Sequence, residues 1–262
     1  MAGEKIVRQK LPLVVAHRGA SAAHPENTLD SFQAAIEAGA DVVELDVRLT
    51  ADGVPVIMHD MDVSATTDGS GYVHQLTLDE IKRLDASGER GLGIRVPTLR
   101  EALDLLAGRV GVNVEIKNMP GEPSFDSPRE AVAEQVVELV NRIEFDGPVL
   151  VSSFNWLSIE RVQDLDQDVT TGFLTIAEID PWASLVYVRT RAHGYVLPQA
   201  PALLAAGREF VQEAHREGVL VGTWTVDDAE TIESLFEMGV DAIATNDPLA
   251  AVPIRDRFRP PT

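Results

Sequence analysis

The sequence predicts an α/β fold, a closed TIM-type (β/α)8 barrel with a small insertion after the second strand. Eight short apolar runs alternate with amphipathic helical segments along nearly all of the 262 residues. No internal repeat and no linker divides the chain, so residues 1–262 are expected to form a single domain. The alternation breaks only at residues 52–96. An open doubly wound sheet is the other arrangement that the same elements allow.

The strand-like runs are LPLVVAH (11–17), DVVELDV (41–47), VGVNVEIK (110–117), GPVLVSS (147–153), DVTTGFL (168–174), HGYVL (193–197), VLVGTWTV (219–226) and VDAIAT (240–245). Between the first two, residues 27–38 place Leu29, Phe32, Ala35 and Ile36 on one helical face. Residues 98–107, 128–143, 155–165, 178–191, 207–217 and 228–238 are expected to be the other helices. The 52–96 segment begins as a hairpin (ADGVPVIMHD) and continues through a glycine-rich turn (DGSGYVH), a short helix (LTLDEIKRLDA) and a loop (SGERGLGIRVP). The GERGLG run does not follow a strand and open a helix, so it reads as a turn and not as a nucleotide-binding loop.

Composition narrows the function. With 45% hydrophobic residues the chain can bury a full core. Its formal charge of −20 opposes binding to nucleic acid and to anionic membranes. No run of about 18 apolar residues marks a membrane span, and no stable membrane association is expected. The start, MAGEKIVRQK, lacks the apolar core of a signal peptide and reads as a mature cytoplasmic N-terminus. Without cysteine there is neither a disulfide framework nor a thiolate metal site.

Strand side chains alternate between faces. In the second run, Val43, Leu45 and Val47 share one face, while Glu44 and Asp46 share the other, which in a barrel points to the axis. The third run repeats this with Val112, Val114 and Ile116 against Asn113, Glu115 and Lys117. The first run ends in His17-Arg18-Gly19. Three strand ends therefore bring together Glu44, Asp46, Glu115, His17, Arg18 and Lys117. Three carboxylates so close raise one another's pKa unless a cation is present, and oxygen ligands suit Mg²⁺ or Ca²⁺. His17 and His59, at a strand end and a hairpin end beside these acids, suit proton transfer near neutral pH, as acid and base or as nucleophile and acid. Of the other histidines only His24, in AAHPENT, is a candidate substrate contact; His74, His193 and His215 are expected to be structural. Phe154 follows the fourth run, where barrel loops line sites, and Trp156 is expected to pack in the core. Trp224 is expected to offer an apolar wall.

The motifs HRGA, PENT, ELD, PVIMHD, TTDGSG, RVPTLREAL, NVEIK, SSF and WTV follow one another as in the glycerophosphodiester phosphodiesterases. The chain resembles that family from about residue 12 to 250. The resemblance implies a TIM barrel, one divalent cation, and hydrolysis of glycerophosphodiesters to glycerol 3-phosphate and an alcohol. It matches His17 and His59 to the catalytic histidines and Glu44, Asp46 and Glu115 to the metal ligands. Arg18 and Lys117 match phosphate contacts, and Trp224 an aromatic lining the pocket. Two positions depart from the commonest pattern: Asp227 follows WTV where asparagine is frequent, and Asn246 precedes Asp247-Pro248 where aspartate is frequent. These bear on the leaving group rather than on the chemistry. Within the phosphodiesterases, lysophospholipase D-type hydrolysis of lysophospholipids is the alternative. Beyond them stand a metal-dependent aldolase or isomerase using Lys117, and a phosphate-binding module without turnover. The insertion supplies few apolar side chains (Tyr72, Leu92 and Ile94), which favours small water-soluble diesters.

Overall fold

The computed structural model describes residues 11–258; the start MAGEKIVRQK, read above as a mature cytoplasmic N-terminus, lies outside them. The strands are β1 (Leu13–Ala16), β2 (Val42–Leu49), β3 (Pro55–Ile57), β4 (Gly111–Ile116), β5 (Val149–Ser153), β6 (Thr170–Thr175), β7 (Tyr195–Pro198), β8 (Leu220–Thr223) and β9 (Ala242–Thr245). All but β3 form a parallel barrel, which closes because β1 pairs with both β2 and β9. The open-sheet alternative is thereby excluded. β3 pairs antiparallel with the far end of β2, outside the barrel.

The helices are α1 (Leu29–Glu37), α2 (Leu78–Ile81), α3 (Leu99–Leu106), α4 (Ala131–Arg142), α5 (Trp156–Leu165), α6 (Pro181–Thr190), α7 (Ala200–Arg216), α8 (Ala229–Met238) and α9 (Pro248–Asp256). Local chemistry sets their starts. Thr28 caps α1 and Thr98 caps α3, each in a reciprocal capping box, and Asn155, Asp228 and Asp247 cap α5, α8 and α9.

Three elements differ from the sequence expectation. The helix in LTLDEIKRLDA is a single turn, α2. α7 starts at Ala200, well before the start that periodicity indicates; Gly207, at φ 74° and ψ −176°, is non-helical and kinks it into two segments. α9 is not anticipated at all, because Pro253 inside it argues against a helix. Its buried Ala251 and Ile254 nevertheless pack into the apolar layer around β1, β8 and β9.

The outward face of β2 and β4 (Val43, Leu45, Val47, Val112, Val114 and Ile116) is fully buried against Phe32 and Ala35 of α1 and Leu99, Leu103 and Leu106 of α3. Each such aliphatic side chain contributes roughly 1.5–3 kcal/mol. The barrel interior divides in two. Glu44, Asp46, Asn113 and Glu115 fill one side, whereas Leu150, Leu174, Tyr195 and Leu197 form an apolar cluster on the other.

The insertion has its own small core of Val56, Met58, Val63, Val73, Ile81, Ala86 and Val96. Asp85 closes its last loop by accepting hydrogen bonds from the backbone of Ser87, Gly93 and Ile94. This packed unit fixes the hairpin end that carries His59. Ile81→Ala, at a fully buried position, is expected to destabilise the protein by roughly 2–5 kcal/mol in denaturant unfolding. A loss under about 0.5 kcal/mol would show that the insertion is not packed as described.

Candidate active site

Parallel pairing places Glu44 beside Asn113 and Asp46 beside Glu115. Oxygen atoms of Glu44, Asp46 and Glu115 lie within 4.8 Å of one another. All three residues are buried, at 3%, 1% and 7% exposure. At that separation each pair of charges repels by about 3.5 kcal/mol at an effective dielectric constant near 20. Two cations offset part of this. Lys117 Nζ is 3.1 Å from Asp46 Oδ1 and also pairs with Glu115. Arg18 Nε is 3.3 Å from Asp46 Oδ2, and its Nη1 is 3.0 Å from Glu26. Asn27 Nδ2 donates to Asp46 Oδ2 at 2.8 Å.

Glu44 receives least. The Arg18 backbone N–H donates to its Oε2 at 2.8 Å, and its buried Oε1 has no hydrogen-bond partner. Burial, then Asp46, pushes Glu44 up to about 8. Burial, despite Lys117, pushes Glu115 up to about 7. Burial acts on Asp46 in the same direction, but Lys117, Arg18 and His59 outweigh it and hold it at about 2. An unpartnered buried carboxylate oxygen in an all-oxygen cluster fits a hard divalent cation, which these three residues could hold.

The chain reverses sharply after β1. Arg18 at φ 57° and Gly19 at φ 80° turn the backbone so that the Arg18 N–H meets Glu44. A Cβ on Gly19 would fall 2.4 Å from Ser31 Oγ, so the turn admits no side chain there. His17 Nδ1 is 2.7 Å from Asn246 Oδ1. Burial and Arg18 hold His17 below the ordinary imidazole value, against Asn246, Asp46 and Glu115. His59 Nδ1 is 3.0 Å from Asp60 Oδ1. Burial and Lys117 also lower His59, against Asp46 and Asp60.

His17, Arg18, Glu44, His59, Glu115 and Lys117 line one cavity of about 280 Å³. Its opposite wall includes Phe154 and Trp224, whose rings meet edge-to-face with centroids 5.3 Å apart. Trp224 Nε1 donates to the Leu197 carbonyl at 2.9 Å, which pins the indole. Lys117 Nζ lies 5.7 Å from the Phe154 ring centroid. His17, His59, Arg18, Lys117, Glu44, Glu115, Phe154 and Trp224 thus line this cavity, whereas Asp46 is buried and does not line it.

One expectation fails. Trp156 is not a core residue but 54% exposed. It is the first residue of α5, and Ser158, Ile159 and Val162 form the buried face instead. His24 is half-buried and does not line the cavity. Of the histidines expected to be structural, His193 is buried between Thr171 Oγ1 and Tyr187 Oη, and His215 Nε2 is 2.7 Å from Asp241.

The Glycerophosphoryl diester phosphodiesterase family matches residues 17–250. The chain belongs to this family. It is 38% identical over 245 residues to a glycerophosphodiester phosphodiesterase of Caldanaerobacter subterraneus subsp. tengcongensis, covering 90% of this chain and 94% of that one. A glycerophosphodiester phosphodiesterase of Bacillus altitudinis is 33% identical, with 94% and 99% covered. Among solved structures, an Oleispira antarctica phosphodiesterase in complex with the product sn-glycerol-3-phosphate superposes with a TM-score of 0.83 at 30% identity, over 94% of this chain and 97% of that one. As a member of the glycerophosphoryl diester phosphodiesterase family the chain is a phosphoric diester hydrolase.

Some residues at the family's site were not legible beforehand. Asn27, in the PENT motif, bonds Asp46. Arg48 continues the inward face of β2, donates to the His59 carbonyl through Nε at 2.8 Å, and grips Glu122 through both terminal nitrogens. The period-two alternation points Arg48 inward, yet its partner Glu122 comes from the loop after β4, 74 residues away.

The charge balance has a testable sign. Glu44 and Glu115 have folded-state pKa values above their unfolded ones. Their contribution to stability is full below the unfolded value and is lost as pH rises through about 7 to 8. Asp46 acts oppositely, but its window lies near pH 2 to 4. In EDTA, Tm should therefore fall between about pH 5 and 8, and the Tm gain on adding Mg²⁺ or Ca²⁺ should grow with pH. Glu44→Gln should reduce that gain. A cation effect that shrinks as pH rises would count against binding by these acids.

Proposed function

We propose that this chain hydrolyses glycerophosphodiesters to glycerol 3-phosphate and an alcohol, with His17 and His59 moving the protons and one divalent cation, Mg²⁺ or Ca²⁺, on Glu44, Asp46 and Glu115. One observation carries this reading: two histidines, two of the three clustered carboxylates and two cations line a cavity whose other wall is aromatic. The family relationship and the Oleispira antarctica complex with sn-glycerol-3-phosphate support it.

When bound, the cation supplies charge to polarise the non-bridging oxygens of the diester. Arg18 offers phosphate a guanidinium fork and Lys117 a compact charge. Phe154 and Trp224 take the glycerol carbons. His17 accepts the proton of the attacking group, which is water or the substrate's own glycerol hydroxyl; the latter gives a cyclic phosphate first. His59 donates a proton to the leaving alkoxide. The difference in partners supports this division, because His59 faces a carboxylate, which favours an imidazolium, whereas His17 faces an amide. The barrel and its insertion act as one unit, since His59 is delivered by the bend that follows β3.

Lysophospholipid hydrolysis is a second reading. Trp156, Ile176, Ile179 and Trp182 are exposed at the ends of β5 and β6, on the catalytic face, and give an acyl chain apolar surface that the insertion does not. Among the described residues no helix is long and apolar enough to cross a membrane.

Glycerol 3-phosphate release from glycerophosphocholine is expected only after Mg²⁺, Ca²⁺ or Mn²⁺ is restored to metal-stripped protein. His17→Ala and His59→Ala should each lower kcat by roughly two to four orders of magnitude. Full activity in both variants would remove the histidines from the mechanism. Turnover of lysophosphatidylcholine but not of glycerophosphocholine would favour the second reading.

A further inference from the structure

We propose that Asn246 and Asp227 are positioning residues that fix the tautomer of His17; this rests on the reading of His17 as the proton acceptor. The three residues stand at adjacent strand ends. Asp227 lies just beyond β8, Asn246 follows β9, and His17 follows β1.

His17 Nδ1 is 2.7 Å from Asn246 Oδ1. A neutral imidazole can donate or accept at that nitrogen, so the partner decides. The partner's orientation is itself decided one bond further out. Asn246 Nδ2 donates to Asp227 Oδ2 at 2.7 Å. An ionised carboxylate only accepts, so the amide must turn its NH₂ to Asp227 and its oxygen to His17. Asp227 is anchored in turn: its Oδ1 accepts from the Asn246 backbone at 2.7 Å and from Thr245 Oγ1 at 2.9 Å. Ser21 Oγ, 3.0 Å from Asn246 Oδ1 and 2.7 Å from the His17 carbonyl, is compatible with an oxygen at that place. His17 therefore carries its proton on Nδ1, leaving the Nε2 lone pair to take one from the attacking group. His59 has no such relay, since its Nδ1 meets the Asp60 carboxylate directly. Asp227 is itself exposed at the rim, so the chain of bonds runs from solvent to the half-buried His17.

The test is a charge swap along this chain. In Asp227→Asn, the oxygen of the new amide keeps the bonds from Thr245 and from the Asn246 backbone, and its NH₂ then confronts Asn246 Nδ2. Two donors cannot pair, so the Asn246 amide turns over and presents NH₂ to His17 Nδ1. The proton of His17 moves to Nε2, where it blocks base catalysis. Expected is a fall in kcat on glycerophosphocholine of at least about tenfold with KM changed less than about twofold. The imidazole ¹⁵N shifts of His17, identified by their loss in His17→Gln, should exchange from the Nδ1–H to the Nε2–H pattern. In the double variant Asp227→Asn/Asn246→Asp, the two side chains trade places. The amide now at position 227 donates to the carboxylate now at position 246, and that carboxylate accepts the Nδ1 proton. Both kcat, to within about threefold of the original, and the Nδ1–H pattern should return. A purely structural role gives no such reversal by a second substitution. A wild-type spectrum with the proton on Nε2 would overturn the proposal, as would an unchanged spectrum and kcat in Asp227→Asn, or a double variant no better than the single one. Should Asp227→Asn not fold, the wild-type spectrum alone decides. Inactivity of the wild type on every diester would fail the functional reading while leaving the spectra to judge the tautomer.

Discussion

Three carboxylates on the inner face of two neighbouring strands constitute the constraint around which the rest of this barrel is arranged. Buried like charges less than 5 Å apart are unstable without compensation. The structure supplies it from every adjoining element. Lys117 comes from the end of β4, Arg18 from the turn after β1, and Asn27 from the loop before α1. The reversal at Arg18 and Gly19 exists at a backbone strain that only a glycine at the second position relieves, and its product is one N–H delivered to Glu44. The buried Oε1 of Glu44, left without a hydrogen bond, is a place where a divalent cation improves the balance.

The same constraint divides the barrel interior. Polar side chains gather on the β1, β2 and β4 side, which leaves β5 to β8 to fill the axis with leucines, a tyrosine and the paired rings of Phe154 and Trp224. A cavity with charge on one wall and aromatic surface on the other suits a molecule that is itself half phosphate and half carbon. The division also settles an apparent conflict in the composition. A chain of net charge −20 repels anions at a distance. Inside the cavity Arg18, Lys117 and any bound cation reverse that field locally.

The insertion belongs to the same logic. Its small apolar core and the Asp85 loop make it stiff, and Arg48 with Glu122 clamps the carbonyl of His59 to β2 and to the loop after β4. One histidine is thus held by the barrel itself and the other by a braced appendage, and the two meet different partners, an amide and a carboxylate.

The sequence by itself determined the barrel, its eight strands, the place of the insertion, and the facing of Glu44, Asp46 and Glu115. These follow from period-two alternation and from the order of elements, both of which are local. It also brought His17, His59, Arg18 and Lys117 to one end of the barrel, since they occupy strand or hairpin ends. Tertiary structure decided what local pattern does not encode. α9 forms despite Pro253 because its buried face completes the layer around β1. Trp156 is exposed because its helix turns Ser158, Ile159 and Val162 to the core instead, an orientation its hydrophobicity does not reveal. Asn27, Arg48, Glu122, Asp227 and Asn246 acquire their meaning only from partners far along the chain: a short polar side chain reads as a cap or a loop until the strand that receives its hydrogen bond is in place.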